Sequence, residues 1–179
     1  MNRRSYHINP AFALRLLVLV ILMAVGSRRV EAQATPVYQV KAAFLYHFCR
    51  FVDWPPSSNS AFVIGIVGTD PFGPYLDELT KGENVNGKPI VVRRFSDVDG
   101  AKGSQILYLG LSDPLEAIHG QDLRGTLTVS ETANFAKSGG MVRFFTENNK
   151  VRLQINNITA RNAGLTISAK LLRISDVIQ

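Results

Sequence analysis

The chain has 179 residues, one cysteine and a formal net charge of +6. A single cysteine excludes an internal disulfide framework, and the length fits one domain with a proper core. The basic charge does not mark a nucleic-acid binder: five of the 20 Lys and Arg residues lie within residues 1–34 against Glu31 alone, so residues 35–179 carry 15 basic and 13 acidic groups, net +2, with short patches such as Arg93-Arg94 in place of a basic stripe.

The amino terminus reads as an export signal. Arg3, Arg4 and Arg15 form a positive region, Leu16 to Gly26 is an apolar run of eleven residues, and Ala32-Gln33-Ala34 is a small-x-small cleavage site. The run is shorter than the roughly 20 residues that span a bilayer. Residues 1–34 are therefore read as a signal peptide cut after Ala34, with a retained tether as the alternative because Arg28 and Arg29 lie between core and site. The mature domain is then 35–179, and it is exported.

Val37 to Val52 reads as a helix, with apolar residues at Val37, Val40, Phe44, Phe48 and Phe51 near the 3.6 period. Asp53-Trp54-Pro55-Pro56 ends it. Ala61 to Gly68 is a continuous β-branched apolar run, suited to a strand covered on both faces. Asp70 is expected to cap a helix near Pro71 to Lys81, with Pro71 at its first position. Asn86-Gly87 is a tight turn before a strand from Pro89 to Phe95. Ser96 to Lys102 is expected to form a short helical turn, Gln105 to Leu109 a third strand, and Asp113-Pro114 to open a helix ending near His119. Thr126 to Val129 reads as a strand, and Ser130 to Lys137 as a short helix. Met141 to Thr146 and Val151 to Ile155 form a hairpin around a four-residue loop, Glu147 to Lys150. Asn156 or Asn157 caps a helix through Ala163 that stops at Gly164. Residues 167–174 fit either strand or helix, with helix favoured. Strands alternating with helices predict an α/β single-domain sandwich: a largely parallel central sheet, flanking helices and a C-terminal antiparallel hairpin.

Chemistry is sparse. His47 and His119 are the histidines of the mature chain; they are not spaced as a ligand pair, and no nucleophile elbow or Walker loop is present. Cys49 lies in an apolar helical stretch and reads as a buried thiol. The Gly65 to Gly73 segment has the form strand, turn, helix start, yet Asp70 would repel an anion, so a capped turn is the simpler reading. Too many aromatics crowd Phe44 to Trp54 to face one core. Tyr46 and Trp54 are the better contact candidates, whereas core packing is favoured for Phe44, Phe48 and Phe51. These features predict a non-enzyme without metal or cofactor.

Read in order, the blocks resemble a known family. Val40-Lys41-Ala42-Ala43-Phe44-Leu45-Tyr46-His47-Phe48, then Phe51-Val52-Asp53-Trp54-Pro55, are similar to the opening motif of the YfiR/HmsC-like family of exported bacterial proteins. Gly68-Thr69-Asp70-Pro71-Phe72-Gly73, Gly87-Lys88-Pro89-Ile90, Leu127-Thr128-Val129-Ser130, Gly139-Gly140-Met141-Val142 and Ile167-Ser168-Ala169-Lys170-Leu171-Leu172 continue the series. The resemblance implies a periplasmic regulator that works by binding. It would restrain an inner-membrane diguanylate cyclase through that enzyme's periplasmic sensor region, lowering cyclic di-GMP and biofilm formation. It also implies a homodimer, and admits an outer-membrane or peptidoglycan-linked regulator and a small ligand as further partners. Relatives often carry disulfide-forming cysteines in the central and C-terminal regions; here no cysteine follows Cys49. The expected partner- or ligand-binding residues are Tyr46, Phe48, Trp54, Asp70, Phe72 and Gly73. The alternative is a periplasmic α/β domain that binds a small ligand near Gly68 to Gly73 and Leu109 to Asp113, at the carboxyl ends of its strands.

Overall fold

The computed structural model describes residues 34–178. The signal read over residues 1–34 lies outside them, apart from Ala34. A first helix, α1 (Pro36–Phe51), leads into a two-residue strand, β1 (Val52–Asp53). The central strands are β2 (Phe62–Gly68), β4 (Lys88–Phe95), β5 (Ile106–Gly110), β6 (Leu127–Ser130), β7 (Val142–Glu147) and β8 (Lys150–Asn156). Helices α2 (Pro74–Thr80), α3 (Pro114–Ile118), α4 (Asn157–Asn162) and α5 (Ala169–Arg173) lie between the strands or follow them. Short strands β3 (Asn84–Val85), β9 (Thr166–Ile167) and β10 (Asp176–Ile178) complete the described residues.

Eight strands form one sheet in the order β10-β8-β7-β6-β5-β2-β4-β3. The pairs β4–β2, β2–β5, β5–β6 and β6–β7 are parallel, and β7–β8 is the antiparallel hairpin. The sheet is largely parallel, as the sequence predicts. Strand β10 adds in parallel beyond β8, while β1 and β9 form a separate antiparallel pair. Because β2 is flanked by the next two parallel strands, β4 and β5, the strand order reverses there. Ligands of open α/β sheets commonly bind at such a switch point, beyond the carboxyl ends of the strands.

Alternation along each strand divides the core. Ile64, Ile66, Ile106, Tyr108 and Val129 pack under α1 with Ala42, Leu45 and Phe48. Val67, Leu107, Leu109, Ile118 and Phe135 form a smaller cluster on the other face. Along most of β2 and β5 both faces are buried, which is why these strands read as unbroken apolar runs.

Several local expectations are corrected. Helix α2 starts at Pro74, three residues later than predicted. Asp70 does not cap it: its Oδ1 accepts from the backbone N–H groups of Phe72 (2.8 Å) and Gly73 (3.2 Å), making a turn of its own. Gly73 then takes a positive φ of 52° immediately before Pro74. Ser96 to Lys102 forms turns without a helix, and Ser130 to Lys137 gives turns and a 3₁₀ piece at Ala136–Ser138. The hairpin loop has two residues, Asn148 and Asn149, both at positive φ (50° and 58°), which suits a tight turn matched to strand twist. Residues 167–174 use both readings: Ile167 ends β9, and Ser168 caps α5 by accepting from the Leu171 N–H.

Candidate functional site

Helix α1 is turned from the orientation its apolar spacing predicts. The buried arc is Lys41, Ala42, Leu45, Phe48 and Cys49, while Val37 and Val40 are 41% and 46% exposed. The cause is Lys41. Its ammonium donates to Glu131 Oε2 at 2.6 Å and lies 4.4 Å above the Tyr38 ring. A charged residue with a partner in place can lie within a buried arc. The other Glu131 oxygen accepts from the Tyr108 hydroxyl at 2.8 Å. Burial and then the Glu131 charge hold the Tyr108 phenol protonated far above its ordinary range. Phe72 packs edge-on against both Tyr38 and Tyr108. This network of Tyr38, Lys41, Tyr108 and Glu131 pins the start of α1 to the carboxyl ends of β5 and β6. Sequence reasoning missed it, although Lys41 at the 3.6 spacing from Leu45 and Phe48 was the available signal.

The switch point between β2 and β5 is closed by backbone. Thr69 N–H donates to the Gly110 carbonyl at 2.9 Å. A Cβ on Gly110 would sit 2.1 Å from the Thr69 oxygen, so the two loops meet where only glycine fits. The small-ligand reading placed its site between these loops, and their direct packing leaves it no support there. Arg94 fastens the neighbouring turn. It makes paired bonds to Asp77 (2.7 and 2.6 Å), a bond to Asp70 Oδ2 (3.0 Å) and one to the Gly73 carbonyl (2.9 Å). That saturation drives the guanidinium pKa further up, through the Asp77 bonds first.

The expected contact residues divide by burial. Phe48 and Phe72 are fully buried and present no surface, so both serve the core: Phe48 stacks on Phe144, and Phe72 meets Tyr108. Tyr46 is half-buried and donates to Glu83 at 2.8 Å, while Arg50 bridges both groups. Trp54 packs edge-on against Phe62, its indole N–H buried without a partner among the described residues. Asp70 and Gly73 are partly exposed but committed to Arg94.

Among the described residues, two apolar surfaces lie apart from the Trp54 side. The first is the outer stripe of α1, where Val37, Val40, Phe44, His47 and Phe51 fall on one side of the helix at i, i+3 and i+4 spacing. The second is a groove of about 600 Å³ among α4, α5 and β10, with Ile158 and Leu172 in its apolar part and Arg161 and Arg173 beside them. Among the described residues no group of His, Cys, Asp and Glu is placed to hold a metal ion. Cys49 is buried, and burial pushes its thiol up to about 12. No helix of the described residues is long and apolar enough to cross a membrane.

A family model described as YfiR/HmsC-like matches residues 38–176, nearly all of the described chain. The chain belongs to the YfiR/HmsC-like family. That family is known for regulating cyclic di-GMP signalling; its members are periplasmic regulatory proteins, not enzymes, and generally act with a partner. Among solved structures, this YfiR/HmsC-like chain is similar to a conserved domain protein from Vibrio cholerae O1 biovar El Tor, at 16% identity and a TM-score of 0.49. The match covers 83% of this chain and spans 62% of the length of the other. No curated protein matches.

Proposed function

We propose that this chain is a periplasmic regulator that restrains an inner-membrane diguanylate cyclase by binding its periplasmic sensor region, lowering cyclic di-GMP and biofilm formation. The observation that carries the reading is the family match over residues 38–176. Binding of the inactive state in preference to the active one is all the mechanism requires. The outer stripe of α1 supports it: exposed aliphatic and half-exposed aromatic side chains on one helix face suit docking against a second protein. In this reading residues 1–34 direct export, the mature chain starts at Thr35, and the regulator acts as a homodimer.

The test is a deletion strain and a co-purification. Deletion should raise cyclic di-GMP, and the tagged protein should retain a membrane-anchored cyclase. Unchanged cyclic di-GMP in the deletion strain overturns the proposal.

A further inference from the structure

The sheet face opposite α1 has an opening near the amino-terminal ends of β2 and β5. A parallel sheet ordinarily carries helices over both faces. Here the crossover from β4 to β5 is a run of turns, so among the described residues no helix lies over that part of the sheet. Gly65 is in register with Arg93 and has no side chain to fill the gap. A Cβ there would come 2.8 Å from Ser104 Oγ and 3.2 Å from the Phe95 ring, so the glycine makes room for both neighbours. The result is a polar cleft of about 280 Å³, lined among others by Asn59, Arg93, Phe95, Lys102 and Ser104, with no carboxylate side chain in its lining among the described residues.

Its donors are only partly spent. Arg93 is exposed and makes no ion pair among the described residues. Its neighbour Arg94 points to the other face and is fully engaged by Asp70 and Asp77. Ser104 is 2% exposed, and its hydroxyl has no hydrogen-bond partner among the described residues. Asn59 donates one amide proton to the Gly103 carbonyl at 2.8 Å and keeps the other. Lys102 adds positive charge at the rim, partly answered by Asp99 at 2.6 Å. A guanidinium fork without a carboxylate, beside a buried hydroxyl lacking an acceptor, asks for an anion with several oxygen acceptors. The volume lies at the small end of ligand sites.

We propose that this cleft binds a small oxyanion, a carboxylate or phosphate group, with Arg93 as its charge partner and Ser104 and Asn59 as donors. Titration of the purified chain with inorganic phosphate and separately with succinate, at constant ionic strength and followed by calorimetry, tests this. Saturable binding of at least one anion is expected; binding of phosphate alone or succinate alone identifies which group the cleft takes. Arg93→Ala should weaken binding about tenfold or more, and Arg93→Lys should retain part of it, because a point charge replaces the fork. Ser104→Ala should cost less, and Arg173→Ala, in the distant groove, nothing. Arg93 is exposed, so its variants should keep the far-UV circular dichroism spectrum of the parent. Absence of saturable binding by both anions overturns the proposal, as does an Arg93→Ala variant that binds like the parent, or an equal loss in Arg173→Ala. None of these outcomes bears on the cyclic di-GMP reading, which rests on a different surface and a different measurement.

Discussion

Lys41 is 4% exposed, with its ammonium 2.6 Å from Glu131, whereas the Glu131 side chain keeps 31% of its surface. The two ends of the pair are therefore unequal. Glu131→Ala strands a buried cation and removes the acceptor of the Tyr108 hydroxyl; it should cost about 3 kcal/mol in urea unfolding. Lys41→Met keeps the packed stem and leaves a carboxylate that still reaches water, so it should cost about 1 kcal/mol. Equal losses from the two substitutions would show that the pair is not asymmetric. Cys49 gives a second prediction at this scale. Its folded thiol is raised to about 12 from the ordinary 9.0, so the folded state holds the proton more tightly than the unfolded chain. Stability from this group is present below pH 9 and is lost as pH rises toward 12, because the unfolded chain ionises first. At pH 8 a thiol reagent should label Cys49 at the rate of global or local opening, and rapidly once denaturant unfolds the chain. Fast labelling of the folded protein would contradict its burial.

At the scale of elements, long apolar runs and proline or glycine punctuation made most of the fold legible: β2, β5, the α1 boundaries, and the caps at Asp113 and Asn156 stand where their signals are. What was illegible has physical causes. Strands β1, β9 and β10 are two or three residues long, too short for any period to register, and exist because tertiary pairing places them. The start of α2 was hidden because Asp70 can cap a helix or close a turn, and Arg94, a partner 24 residues away, lies with the turn. The polar network of the candidate site was missed for the same reason, since Lys41 and Glu131 are 90 residues apart. The β2–β5 seam gives this scale its prediction. Gly110→Ala drives a Cβ into the Thr69 carbonyl, backbone against backbone, and should destabilise by about 3 kcal/mol, the upper end for overpacking. Gly82→Ala has open space around its Cβ but sits at φ +77°, so it carries only conformational strain, about 1 kcal/mol. A Gly110→Ala variant as stable as Gly82→Ala would mean the seam is loose.

For the whole molecule, the decisive question is which surface meets the partner. Among the described residues the large exposed aliphatic side chains sit on two patches: Val37 and Val40 on α1, and Ile158 and Ile174 around the α4–α5–β10 region. Both positions chosen for substitution, Val40 and Ile158, are about half exposed, so a charge at either should leave stability within about 0.5 kcal/mol of the parent. The consequences for binding separate. If α1 docks on the sensor region, Val40→Asp places a carboxylate in the centre of an apolar contact and should weaken capture of the membrane cyclase about tenfold or more, because interface energy concentrates in a few desolvated side chains. Ile158→Asp should then leave cyclase capture unchanged. In cells the same Val40→Asp variant, at normal abundance, should raise cyclic di-GMP as deletion does. The opposite pattern, with Ile158→Asp abolishing capture and Val40→Asp silent, moves the contact to the groove while keeping the regulatory role. Loss of capture in neither variant removes both apolar patches, the α1 stripe included, from the mechanism.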